Sequence, residues 1–208
     1  MGQPEGFPRT YSSKDWNPIT YSEAADSKAL AQDAYRGSKK FAELEAWNFV
    51  KAKSPAFDVV TLCPSMIFGP VATPVESAKD LNESNSILWR MATGGLSQPL
   101  PPARFNFWID VRDLAEVHVQ ALLTPEAGGK RYLPVAPEKF NYQMASEIIR
   151  GEFPAWAEGL VPTGQQEIKE QVNVDMDEMK RDFPDIKYKT FRETVTDLIG
   201  QVASAERL

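Results

Sequence analysis

The chain has 208 residues, of which 42% are hydrophobic and 25% charged, with a net charge of −6 and a sequence pI of about 5.0. That length suits one domain, or one with a small appendage, and no basic run offers phosphates a counter-charge, so composition excludes nucleic acid and anionic membrane surfaces as partners. A single cysteine, Cys63, excludes an intrachain disulfide and makes a reducing compartment, the cytoplasm, the expected location.

The start, "MGQPEGFPRTY", lacks the apolar stretch of a signal peptide, and no run reaches the length of a membrane span. Met1-Gly2 opens like a myristoylation site, but Gly6 stands where that pattern needs Ser or Thr. Residues 1–27 are rich in Pro, Ser, Thr and charge and read as an irregular lead-in. From about Ser27 to Lys53 a helix is expected, with Leu30, Phe41, Leu44, Trp47, Phe49 and Val50 on a broad apolar surface. "FDVVTLCP" is a β-branched run ended by Pro64, which predicts a buried strand over Val59 to Leu62.

"SMIFGPVATP" reads as a Pro/Gly loop, and a second helix is expected from about Asn82 to Thr93, stopped by Gly94-Gly95. Asn82-Glu83-Ser84 fits the glycosylation sequon, a match expected to arise by chance where the sequence shows no secretory route. "FNFWIDVRDLAEVHVQALL" predicts a strand at 105–109 and a helix from about 112 to 123, with Asp110 or Asp113 capping its start. "KRYLPV" is another strand, about Asn141 to Phe153 another helix, and about Thr190 to Ala203 the last. Between them, after residue 154, the pattern loosens. Strands alternating with helices mean an α/β fold with a parallel sheet.

Within the first long helix, "AYRGSKKFAELEAW" places Tyr35 and Lys39 four residues apart, hence on one face. A lysine ammonium beside a phenol stabilises the phenolate, and such a tyrosine can protonate a carbonyl oxygen while hydride arrives at the carbon. Asp110, Arg112 and Asp113 read as a helix cap with a structural ion pair. His118, the one histidine, reads as a core or interface residue, and one His with one Cys cannot make a usual zinc site.

"YRGSKKFAELEAW", "PSMIFGP", "LNESN" and "FWIDVRDLAEVHVQAL" follow one another at natural distances. In that combination the chain resembles the extended short-chain dehydrogenase/reductase family, in the branch of dihydroflavonol-reductase-like, cinnamoyl-CoA-reductase-like and methylglyoxal-reductase-like carbonyl reductases. The resemblance implies a Rossmann-type sheet over residues 28–135, carrying the catalytic helix, and a substrate-side subdomain over 136–208. It implies Tyr35 as proton donor and Lys39 as the residue that holds the nicotinamide ribose and tunes Tyr35. It implies Pro64, Ile67 and Ser84 near the cofactor, with NADP favoured and NAD possible. The expected partner is a small-molecule carbonyl compound with an apolar body.

One hallmark of that family is missing. No G-x-x-G-x-x-G or G-x-G-x-x-G occurs to seat a pyrophosphate at a helix N-terminus, and no β-run precedes Ser12 or Ser13 to make either the family's substrate serine. The expectation is therefore the C-terminal part of a longer reductase, in which the strand over Val59 to Leu62 keeps one unpaired edge. Such an edge favours marginal stability or weak self-association over a firm monomer. Two alternatives stay open: a non-catalytic remnant acting as a binding module, and an epimerase or dehydratase of the same superfamily.

Overall fold

The computed structural model describes residues 9–96, 99–157 and 161–207; the expectations for Gly2 and Gly6 lie outside them. In chain order the elements are β1 (Arg9–Tyr11), α1 (Tyr21–Ala25), α2 (Ala31–Lys53), β2 (Thr61–Leu62), β3 (Met66–Phe68), α3 (Glu83–Ala92), β4 (Trp108–Asp110), α4 (Val111–Leu123), β5 (Arg131–Tyr132), α5 (Tyr142–Glu152), α6 (Pro154–Ala157), β6 (Val172–Val174), α7 (Asp177–Asp182) and α8 (Phe191–Glu206). Every strand pair is parallel, as the α/β reading requires, but the pairs form three separate ladders: β1 with β6, β2 with β5 and β3 with β4. Parallel pairing demands a crossover, and α3 supplies it between β3 and β4.

Two expectations need correction. The "SMIFGPVATP" stretch is not all loop, because Met66–Phe68 pairs residue for residue with Trp108–Asp110. Three apolar residues are too few to show a strand period, so only the partner reveals them. The strand expected over Val59 to Leu62 narrows to Thr61–Leu62, whose ladder partner is β5; no strand lies on its other edge among the described residues. The lead-in also carries order: β1, and α1 begun by a capping box in which Thr20 and Glu23 satisfy each other's backbone amides.

α1 packs on α2 at a glycine. Gly37 is the one buried residue of α2, and a Cβ there would stand 2.2 Å from the Ala24 Cβ. Any side chain would push the two helices apart. Along the rest of α2 large side chains stay open, with Tyr35 62% and Phe49 50% exposed.

The main core lies where α3, α5 and α8 meet β3 and β4. Phe191 sits at its centre, with ring centroids 4.9 Å from Trp108, 5.4 Å from Phe140 and 6.0 Å from Phe68. These edge-on and tilted contacts add to the area they bury. A second core gathers Val117, Tyr132, Met179 and Phe183 between α4, β5 and α7.

The cap and ion pair expected around residue 110 are present. Asp110 accepts the Arg112 backbone N–H at 2.8 Å, and its buried carboxylate is gripped by the same guanidinium at 2.9 and 2.8 Å. Thr194 donates to Asp110 and Arg112 reaches Asp197 at 2.6 Å, so the pair ties α4 to α8. His118 lies on α4 with its Nδ1 2.7 Å from the Leu114 carbonyl oxygen, one turn back on its own helix.

Candidate active site

α2 presents Tyr35 and Lys39 on the same face, with the Lys39 Nζ 5.9 Å from the centre of the Tyr35 ring. Two cavities flank this face. The first, about 690 Å³, is lined by Lys39 together with Trp16, Glu43, Cys63 and Arg131. The second, about 780 Å³, is lined by Ser84 together with Met66, Ile87, Phe105, Phe140 and Tyr142. Tyr35, Pro64 and Ile67 belong to both. All five residues singled out in the sequence therefore lie around one junction, with Tyr35 in its wall.

Their local roles differ. Pro64 follows β2, and Ile67 is the middle residue of β3. Ser84 is in the first turn of α3 and donates its hydroxyl to the Ile67 carbonyl, while Asn82 donates to Ser84 at 2.8 Å. Ser84 thus anchors the wall that Ile67 forms. Ser12 and Ser13 line neither cavity: the Ser12 hydroxyl donates to Asp15 at 3.0 Å, and the Ser13 carbonyl accepts from Arg131.

The first cavity has a floor that sequence reading missed. Glu43, one turn beyond Lys39 on α2, accepts from Arg131 Nε at 2.8 Å and from Thr61 Oγ1 at 2.7 Å, with the Cys63 thiol 3.3 Å from its other oxygen. The Arg131 guanidinium also donates to the carbonyls of Ser13 and Asp15 and stacks 4.4 Å from the Trp16 ring. One ion pair therefore joins α2, β2, β5 and the segment before α1. Burial pushes the Glu43 carboxyl up, but the hydrogen bonds from Thr61 and Arg131 outweigh it and hold the group below its ordinary value. The available signal was weak: Glu43 continues the Tyr35–Lys39 face at the same spacing, but nothing local points to Arg131.

Burial pushes the Cys63 thiol up to about 11, with the nearby Glu43 carboxylate adding to it and Arg131 opposing. A protonated thiol is a poor nucleophile. Cys63 is expected to react with a disulfide reagent at pH 8 at least about tenfold more slowly in the folded chain than in denaturant. Because it is the one thiol in the sequence, colour release reports it alone. Fast reaction in the folded chain would show that the floor of this cavity opens.

No group of three or more His, Cys, Asp or Glu among the described residues could hold a metal ion, and no helix there is long and apolar enough to cross a membrane.

Parallel ladders joined by helices, with a Tyr/Lys pair on one helix face between two cavities, define the class: the fold is that of a short-chain dehydrogenase/reductase. In sequence and structure the chain is homologous to the extended carbonyl reductases of that class. A ketoreductase of Aspergillus niger is 37% identical over 161 residues, covering 77% of this chain and 46% of the relative. An NADPH-dependent methylglyoxal reductase of Saccharomyces cerevisiae is 29% identical over 203 residues, covering 95% of this chain and 58% of the relative. The crystal structure of yeast methylglyoxal/isovaleraldehyde reductase complexed with NADPH superposes with a TM-score of 0.81 at 29% identity, over 95% of this chain and 58% of that one. No family model matches the chain. The chain spans about half the length of the curated relatives it matches.

Proposed function

We propose that this chain carries the catalytic helix of an NADP-dependent carbonyl reductase, which reduces an aldehyde or ketone to an alcohol. The observation that carries the reading is the position of Tyr35 at the junction of the two cavities, with Lys39 one turn away and lining only the first. The first cavity is the cofactor side on this reading and the second the substrate side.

The residues present fit the nicotinamide end of the cofactor. The Lys39 ammonium has no hydrogen-bond or ion-pair partner among the described residues and is free to donate to ribose hydroxyls. Pro64 and Ile67 offer apolar walls to a flat ring, and Ser84 acts on the cofactor indirectly by holding Ile67 in place. Bound NADPH supplies the hydride. Tyr35 donates its phenolic proton to the carbonyl oxygen, and the Lys39 charge stabilises the phenolate that remains. The relatives named as NADPH-dependent favour NADP over NAD. No residue here is assigned to the pyrophosphate, because the sequence has no Gly-rich turn.

The second cavity, walled by Met66, Ile87, Phe105, Phe140 and Tyr142, suits a small molecule with an apolar body. The single unpaired thiol and the acidic chain are consistent with action in the cytoplasm. The test is NADPH consumption by the protein expressed from its full coding sequence, offered methylglyoxal and a panel of aryl and branched alkyl aldehydes and ketones. Loss of reduced cofactor should match alcohol formed, mole for mole. Absence of an alcohol product from every carbonyl would leave the binding-module alternative.

A further inference from the structure

Tyr142 begins α5, is only 4% exposed and packs edge-on against Phe140 with ring centroids 5.5 Å apart. Its backbone N–H donates to Gln166. Its hydroxyl has no hydrogen-bond partner among the described residues. Thr196 Oγ1 is the one side-chain polar atom among those residues that is both fully enclosed and unpartnered. The Tyr142 oxygen therefore keeps a little accessible surface, and the space that the residue lines is the 780 Å³ cavity shared with Tyr35.

Phenylalanine would serve the contact with Phe140 equally well. A phenol there gives up part of its hydration, and a hydrogen-bond acceptor inside the cavity would restore what is lost. Burial, and then the Glu83 carboxylate, push this phenol up to about 12, so it remains a protonated donor throughout the neutral range. We propose that the Tyr142 hydroxyl donates a hydrogen bond to a second oxygen of the substrate, which makes Tyr142 a specificity-determining residue for carbonyl compounds that carry such an acceptor on an apolar body. Arg36 and Arg104 also line the cavity, and Arg36 lies 3.7 Å from Asp33. The inference rests on reading Tyr35 as the donor to the reacting carbonyl, which leaves Tyr142 for the second oxygen.

The test uses matched probes: methyl benzoylacetate and methyl benzoylpropionate, each beside the phenyl alkyl ketone of equal chain length in which methylenes replace the ester. Tyr142→Phe keeps the ring and its packing. The variant should lower kcat/KM for the keto esters about three- to tenfold, the worth of one neutral hydrogen bond, and leave the ketones unchanged. Equal loss for both members of a pair, or no loss for either, would overturn the proposal. Ligand-observed NMR with the same probes needs no turnover. The unsubstituted protein should bind each keto ester more tightly than its ketone, and Tyr142→Phe should erase the difference. If that binding difference holds in a protein that reduces nothing, the reductase reading fails and takes the second-substrate-oxygen role with it, while the Tyr142 contact to the acceptor is retained. If reduction proceeds with no difference within the pairs, this inference fails alone.

Discussion

Tyr35→Phe should lower carbonyl reduction about 10²–10⁴-fold, the usual contribution of a positioned general acid. The phenylalanine keeps the ring that faces both cavities and removes only the transferable proton. NADPH affinity should therefore stay within a few-fold of the parent, measured by quenching of the tryptophans, of which the chain has five. Lys39→Ala should damage both quantities. It removes the ammonium that lines the first cavity and the charge 5.9 Å from the Tyr35 ring. Steady-state kinetics beside the binding titration separates the two variants. Near-normal turnover in Tyr35→Phe would return the pair to the helix surface and end the proton-donor assignment.

Arg131→Met should destabilise the protein by about 1–3 kcal/mol, because it leaves a half-buried carboxylate without its cation. Glu43 and Arg131 are only 12% and 14% exposed at their side chains, which limits how far water in the first cavity, which both line, replaces the lost partner. The substitution also frees the carbonyls of Ser13 and Asp15 and removes the cation stacked on Trp16. Replacing both members, Glu43→Leu with Arg131→Met, should recover part of the loss, since two apolar groups leave no charge unpaired. Urea melts of the two single variants and the double variant give the coupling energy. A single-variant cost below about 1 kcal/mol, the range of exposed pairs, would show that water reaches the pair.

The helix that carries Tyr35 and Lys39 was legible because its evidence is local. Tyr35 and Lys39 share a face by spacing alone, and α2, α3, α4, α5 and α8 all lie within a few residues of their expected spans. Asp110 was legible for the same reason, as a carboxylate placed where free helix amides need an acceptor. β3 was not. Met66–Phe68 looks like part of a loop until Trp108–Asp110 comes alongside, and three residues carry too little pattern to announce a strand.

Chain order and residue spacing by themselves determined the α/β class and the helix that carries Tyr35 and Lys39, since the alternation of elements and the face of a helix are both written in local pattern. Tertiary structure alone decided what surrounds that helix. Arg131 lies 88 residues from Glu43, and the Asn106 amide donates to the Phe140 carbonyl across 34 residues beside the second cavity. Tyr142 enters that cavity from the region after β5, where the sequence showed a helix and no site. Periodicity reports which face of an element is buried, not which distant side chain it will meet. The floor of the first cavity and the second phenol of the other exist only once the ladders and helices have packed.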